Sequence, residues 1–207
     1  MSLELWISFF LATVALLAIP GPTVMIVISC ALRQGRKSGL ATVPGVTLGD
    51  FTAMTASLLG AGAVLAASAT LFTALKIAGA LYLVWLGIKL WRADAEFDTL
   101  QISDKQSGWS MFRTSYMVTA LNPKSIVFFV AFVPQFVNVQ SPLLPQFAIL
   151  EATFLTLAAI NVALWAMAVG QMRAKFSNPR LLKALNRVGA GFLIGAGLLT
   201  AAVRRAA

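Results

Sequence analysis

The 207-residue chain is 59% apolar and only 11% charged, with a mean hydropathy of +0.84, values that exclude an ordinary soluble domain and mark an integral membrane protein. Sixteen basic residues against seven acidic ones give a net charge of +9, but they sit between apolar runs. They therefore read as topology signals facing anionic lipid, not as a nucleic-acid surface. One cysteine, Cys30, and no histidine exclude a disulfide framework, a Cys/His zinc site and histidine-based catalysis, and no cofactor motif is present.

The opening Met-Ser-Leu-Glu-Leu-Trp lacks a positive region ahead of its apolar core, so the first run reads as a retained span. Runs long enough for helical spans fall at 3–31, 39–67, 71–91, 111–134, 145–170 and 187–203, predicting an all-α protein of six transmembrane helices. Pro20, Gly21 and Pro22 interrupt the first run near its midpoint. Proline removes a donor and clashes with the preceding turn, and glycine carries the largest backbone entropy, so the helix should break there. Backbone freed inside a bilayer is tolerated only where protein or a cavity satisfies it, which makes the break a pointer to a site. A second break, Asn122-Pro123-Lys124, interrupts the fourth run. Between the second and third runs the only punctuation is Ala66 to Thr70.

Residues 93–110, with Asp94, Glu96, Asp98 and Asp104, form the one linker. It divides the chain into a first three-helix unit, 1–92, and a second, 111–207. Phe128 to Phe136 reads as lipid-facing bulk, and Asn178 to Lys183 as a capped, basic interfacial helix. Arg33, Arg36, Lys37, Lys89, Arg92, Lys105, Arg113, Arg173, Lys175, Arg180, Lys183 and Arg187 would share one side, with only Arg204 and Arg205 at the other end of the last span. The basic side is then cytoplasmic and both termini face outward.

The two halves repeat. Shifted by 102, Ala18 to Val24 lies against Ala120 to Ile126, placing one break on the other. Shifted by 110, Leu71, Ala74, Leu75, Gly79, Ala80, Leu83 and Gly87 meet identical residues at Leu181, Ala184, Leu185, Gly189, Ala190, Leu193 and Gly197. Three spans per half is odd, so the second repeat should be inverted relative to the first, with helices 1 and 4 broken.

Four charges fall inside apolar runs: Asp50, Lys76, Lys124 and Glu151. At ~1.5 Å per residue, Asp50 lies about 16 Å into its span and Lys124 roughly 18 Å into its own, level with the first break. Thr47, Asp50 and Ser57 share a face expected to line a cavity, beside a small-residue packing face of Gly45, Gly49, Ala53, Ala56 and Gly60. Pro22 suits the first position of an inner half-helix, leaving the amides of Thr23 and Val24 at a positive end fit for a carboxylate. Lys124 could hold the same carboxylate or neutralise Asp50, and Asn122 offers both donor and acceptor. Asp50 suits a proton carrier, a holder of a substrate ammonium or a structural partner of Lys124. Glu151, nearer the outer end, is a second proton-coupling candidate, while Lys76 should snorkel.

Ala18 to Pro22, Gly49-Asp50, Gly79 to Gly87 and Leu121 to Lys124 together resemble the LysE/RhtB family of bacterial amino-acid exporters across nearly the whole chain. The resemblance implies an exporter of amino acids or close derivatives in the bacterial cytoplasmic membrane, driven by the proton motive force. Its partners would be substrate, proton and lipid. The small-residue faces leave room for a homodimer, though no motif demands one. Some relatives handle metal ions, which one cysteine and no histidine disfavour for soft metals. A passive channel, or a permease for metal ions or other metabolites, is the alternative. An enzyme is not expected: an intramembrane aspartyl protease needs two carboxylates at one site, Glu151 lies at another depth, and no phosphate loop is present.

Overall fold

Every regular element is helical in the computed structural model, which describes residues 1–18, 20–92, 107–138, 140–171 and 179–202. The acidic cluster expected between Asp94 and Asp104 lies outside the described residues, as do Lys105, Arg173, Lys175, Asn178, Arg204 and Arg205. The helices are α1 (Leu3–Ala18), α2 (Pro22–Gln34), α3 (Arg36–Ala41), α4 (Val43–Ala67), α5 (Ala69–Arg92), α6 (Gly108–Ala120), α7 (Pro123–Val127), α8 (Leu143–Gln171) and α9 (Pro179–Ala202).

Both expected breaks are present. The axes of α1 and α2 differ by 50°, and α6 differs from Pro123–Phe136 by 41°. Among the described residues, Thr70–Arg92 and Leu143–Val169 are each long and apolar enough to cross a membrane, and the two bent pairs raise that number to four. The division at Ser68 is also real. Its backbone turns extended (φ −163°, ψ 117°), and its hydroxyl accepts from Leu71 N at 3.2 Å to start α5. Sequence reading did not anticipate α3. Gly35 adopts φ 88°, a conformation that favours glycine, and turns the chain from α2 into this one short helix before α4.

Small residues set the helix spacing. Gly45 lies against Ser115 Oγ and the Phe112 carbonyl, and Gly49 against Tyr116 O and Thr119, so α4 and α6 run parallel in close contact. Gly87 packs on Ala190 and Ile194 of α9, while Gly197 packs on Ala80 and Val84 of α5. The sequence numbers rise along one helix as they fall along the other, so α5 and α9 are antiparallel. Arg187 lies over Trp91, 5.8 Å from its ring, tying the start of α9 to the end of α5. The outer surface carries Leu11, Leu59, Leu81, Leu164 and Leu199, all exposed, as expected of faces solvated by acyl chains.

The Phe-rich stretch corrects the sequence reading. Phe128, Phe129 and Phe132 are buried with Phe9, Met54, Leu58, Leu150 and Phe154 in the largest core cluster, not turned to lipid. The cause lies in Pro134, which cannot donate to the carbonyl of Val130 and whose ring crowds it. The helix widens over Phe128–Phe132, with Val133 N bonding Phe128 O, then tightens over Val133–Phe136. Gln135 Nε2 donates to Ala131 O at 3.1 Å and to Thr200 Oγ1 at 2.9 Å, satisfying part of the disturbed backbone and tying it to α9. Phe129 meets Phe154 edge-on at 4.8 Å. Phe129→Ala should therefore cost about 3 kcal/mol through the cavity it leaves. Thermal unfolding in detergent measures this, and a midpoint equal to the parent's would return the stretch to the lipid face.

Candidate functional site

The two breaks face each other across the protein. A cavity of about 30 Å³, room for one or two waters, is lined by Leu16, Gly21, Thr23 and Val24 around the first break, and by Asn122, Lys124 and Ser125 at the second. α4 contributes Val46 and Asp50, and α8 contributes Phe154, Ala158, Asn161 and Val162. Asp50 is 4% exposed and Asn122 3%. The charges of Asp50 and Lys124 act on each other across this space.

The two breaks are finished differently. At the second, Asn122 accepts from Lys124 N at 3.1 Å and so caps α7 with its own side chain. At the first, Gly21 precedes Pro22 with no side-chain cap, and the opening amides of α2 have no acceptor within the helix. An anion therefore finds open donors at α2, while at α7 the amide of Lys124 is already taken. Lys124 reaches back to this same break. Its Nζ donates to Leu16 O at 3.5 Å and lies 3.1 Å from the point where Gly21 would carry a Cβ. A Cβ there would press on the tip of the Lys124 side chain, which would have to give by a few tenths of an ångström. Thr23 joins the halves as well: Thr119 Oγ1 donates to Thr23 Oγ1 at 3.2 Å and Asn122 Nδ2 does so at 3.3 Å.

Of the residues singled out from sequence, Gly21, Thr23, Asp50, Asn122 and Lys124 line this one cavity, and Pro20, Pro22 and Pro123 form the breaks that shape it. Glu151 is not among the lining residues. It accepts from Thr55 Oγ1 at 2.6 Å, about two turns along α8 from Ala158. Lys76 lies on α5 and does not line the cavity either. Thr47 bonds back to Val43 O at 2.9 Å, and Ser57 opens on a separate cleft with Ala53, Ala56 and Gly60. The α4 face that reaches the cavity is thus Val46 and Asp50, not the hydroxyl row expected from spacing. Asn161 was missed. Its signal was an amide in the middle of a 29-residue apolar helix, on one face with Phe154, Ala158 and Val162.

Apolar clusters flank the cavity, one of Val27, Val46, Val162 and Ala166 and the other of the phenylalanines with Leu16, Met54 and Leu58. These features define a multi-pass helical membrane protein with a small charged chamber set between two helix breaks. The chain belongs to the LysE type translocator family, which it matches over residues 14–202. It is 31% identical over 206 residues to the homoserine/homoserine lactone efflux protein of Salmonella typhimurium, covering 100% of both chains. It is 31% identical over 204 residues to an uncharacterized membrane protein of Vibrio cholerae, covering 99% of this chain and 100% of that one. It is 29% identical over 140 residues to the leucine efflux protein of Enterobacter sp. strain 638, covering 67% of this chain and 66% of that one. No solved structure matches to a significant degree.

Proposed function

We propose that this protein is a secondary transporter that exports amino acids or close derivatives from the cytoplasm, by proton-coupled alternating access through the chamber between the breaks. The observation that carries the reading is the chamber itself. It offers an uncapped helix start and an ammonium for a carboxylate, and a buried carboxylate for an ammonium or a proton, which are the groups an amino-acid zwitterion needs. The relatives named for homoserine and leucine efflux support the substrate class.

In this reading α4 and α9, at 25 and 24 residues, add two spans to the four, giving six in two inverted repeats. The antiparallel α5–α9 contact supports the inversion. A shift of 110 carries Gly87 onto Gly197, and carries Ala80 and Val84 onto Ala190 and Ile194, so each glycine contact is the image of the other. A two-fold that relates antiparallel helices in this way lies across them, in the membrane plane. The chamber is too small for an amino acid, so in this reading substrate enters only when the helices around it move apart. The basic ends face the cytoplasm of the inner membrane and both termini face outward. Asp50 carries the coupling proton. Glu151, outside the chamber, is the second candidate along the outer route.

Purified protein in liposomes with an imposed pH gradient tests this. Uphill movement of labelled homoserine, leucine or other neutral amino acids is expected. Movement that stops at equal concentrations would mark a passive pore, and a folded protein that moves none of them would overturn the substrate class.

A further inference from the structure

Asn161 holds an open hydrogen bond over the chamber. Its Nδ2 is sealed from solvent and has no partner among the described residues, although Asn161 lines the chamber with Asp50 and Lys124. A buried amide left unpaired is costly, and nearly all such groups in native proteins find a partner. The neighbours supply none. Phe154, Ala158 and Val162 on the same helix are apolar, and so are Leu16, Leu17, Val24 and Val46 across the space. Of the polar residues of the chamber, Asn122 bonds Thr23 and Lys124 N and Thr23 bonds Thr119, while Asp50, Lys124 and Ser125 line the same space without bonding the Asn161 amide. The open bond can therefore take a group that enters the chamber.

We propose that Asn161 is a specificity-determining residue that bonds a polar group on the substrate side chain, and that the site prefers small hydroxylated amino acids to apolar ones of the same shape. The inference rests on the export reading above and adds to it the half of the substrate that the charged groups do not read. The zwitterion end is accounted for by the α2 start, Lys124 and Asp50. Asn161 extends from α8, whose other chamber residues are apolar and form a pocket for carbon. A hydroxyl fits the amide whichever way its oxygen and nitrogen point, because it both donates and accepts. A methyl in its place leaves the amide unpaired, and a site built to bond a polar group rejects the analogue that lacks it.

The test compares homoserine with norvaline, which replaces the hydroxyl by a methyl at the same chain length. Both are offered to the parent and to Asn161→Leu in liposomes under a pH gradient. The parent should favour homoserine by about tenfold or more, and Asn161→Leu should bring the ratio near or below one by losing homoserine while retaining norvaline. The ratio of their effects on the unfolding temperature of detergent-solubilised protein should change in the same way, which gives a readout of binding should the variant transport poorly. An unchanged ratio in both assays overturns the role of Asn161 and leaves the exporter standing. A parent that moves neither compound, nor any other amino acid, overturns the export reading and this inference with it.

Discussion

Asp50→Asn is expected to abolish gradient-driven export, by at least a hundredfold, in protein that still folds. The substitution keeps the shape of the side chain and removes the only carboxylate among the described residues that line the chamber. If Asp50 carries the coupling proton or holds the substrate ammonium, no other lining residue can do so, since Glu151 sits with Thr55 outside it. A purely structural role makes a different forecast. Removing one member of a buried charge pair leaves its partner uncompensated, whereas removing both relieves that cost. Asp50→Asn with Lys124→Met should therefore recover the unfolding temperature of the parent but not its transport. Recovery of both would reduce Asp50 to a structural partner of Lys124.

Gly45→Leu is expected to cost the most stability of any single change considered, about 3 kcal/mol or more. A Cβ at this position meets Ser115 Oγ and the carbonyl of Phe112. The carbonyl belongs to the α6 backbone and cannot rotate away. The serine is held by bonds to Met111 O at 2.8 Å and Thr42 O at 3.2 Å. α4 must then move off α6, carrying Asp50 away from Lys124. Gly60 is the control, because a Cβ there meets nothing within 4 Å, and Gly60→Leu should shift stability by less than ~0.5 kcal/mol. Unfolding temperatures and the yield of monodisperse protein in detergent separate the two. Equal behaviour would mean that the α4–α6 approach is not what fixes the chamber.

The sequence made the breaks legible because proline and glycine act through the backbone, and backbone geometry is local. Pro20 to Pro22 and Asn122 to Lys124 could be placed without knowing any neighbour, and counting residues brought Asp50 to the same depth. The small-residue face was legible for the same reason at Gly45 and Gly49, where bare backbone is what allows contact. The Phe128 to Phe136 stretch was not. Lipid and protein interior are both apolar, so composition cannot say which of them a phenylalanine meets, and Pro134 acts by tilting a segment whose neighbours lie far off in sequence. Thr47 and Ser57 misled for a related reason: a shared helical face gives a direction but not what lies opposite, and Ser57 faces another cleft. Asn161 was not legible because an uncharged amide costs far less in an apolar run than a charge does, and it shows its importance only once its missing partner can be seen.

The measurement that tests the central claim most directly is substrate-driven proton movement. Protein is placed in liposomes holding a pH-sensitive dye, with no pH gradient imposed, and homoserine or leucine is added outside. A proton-coupled exchanger of these compounds changes the internal pH in step with substrate entry, and Asp50→Asn removes both signals together. Substrate entry with no change in internal pH, in parent and variant alike, would contradict coupling at Asp50.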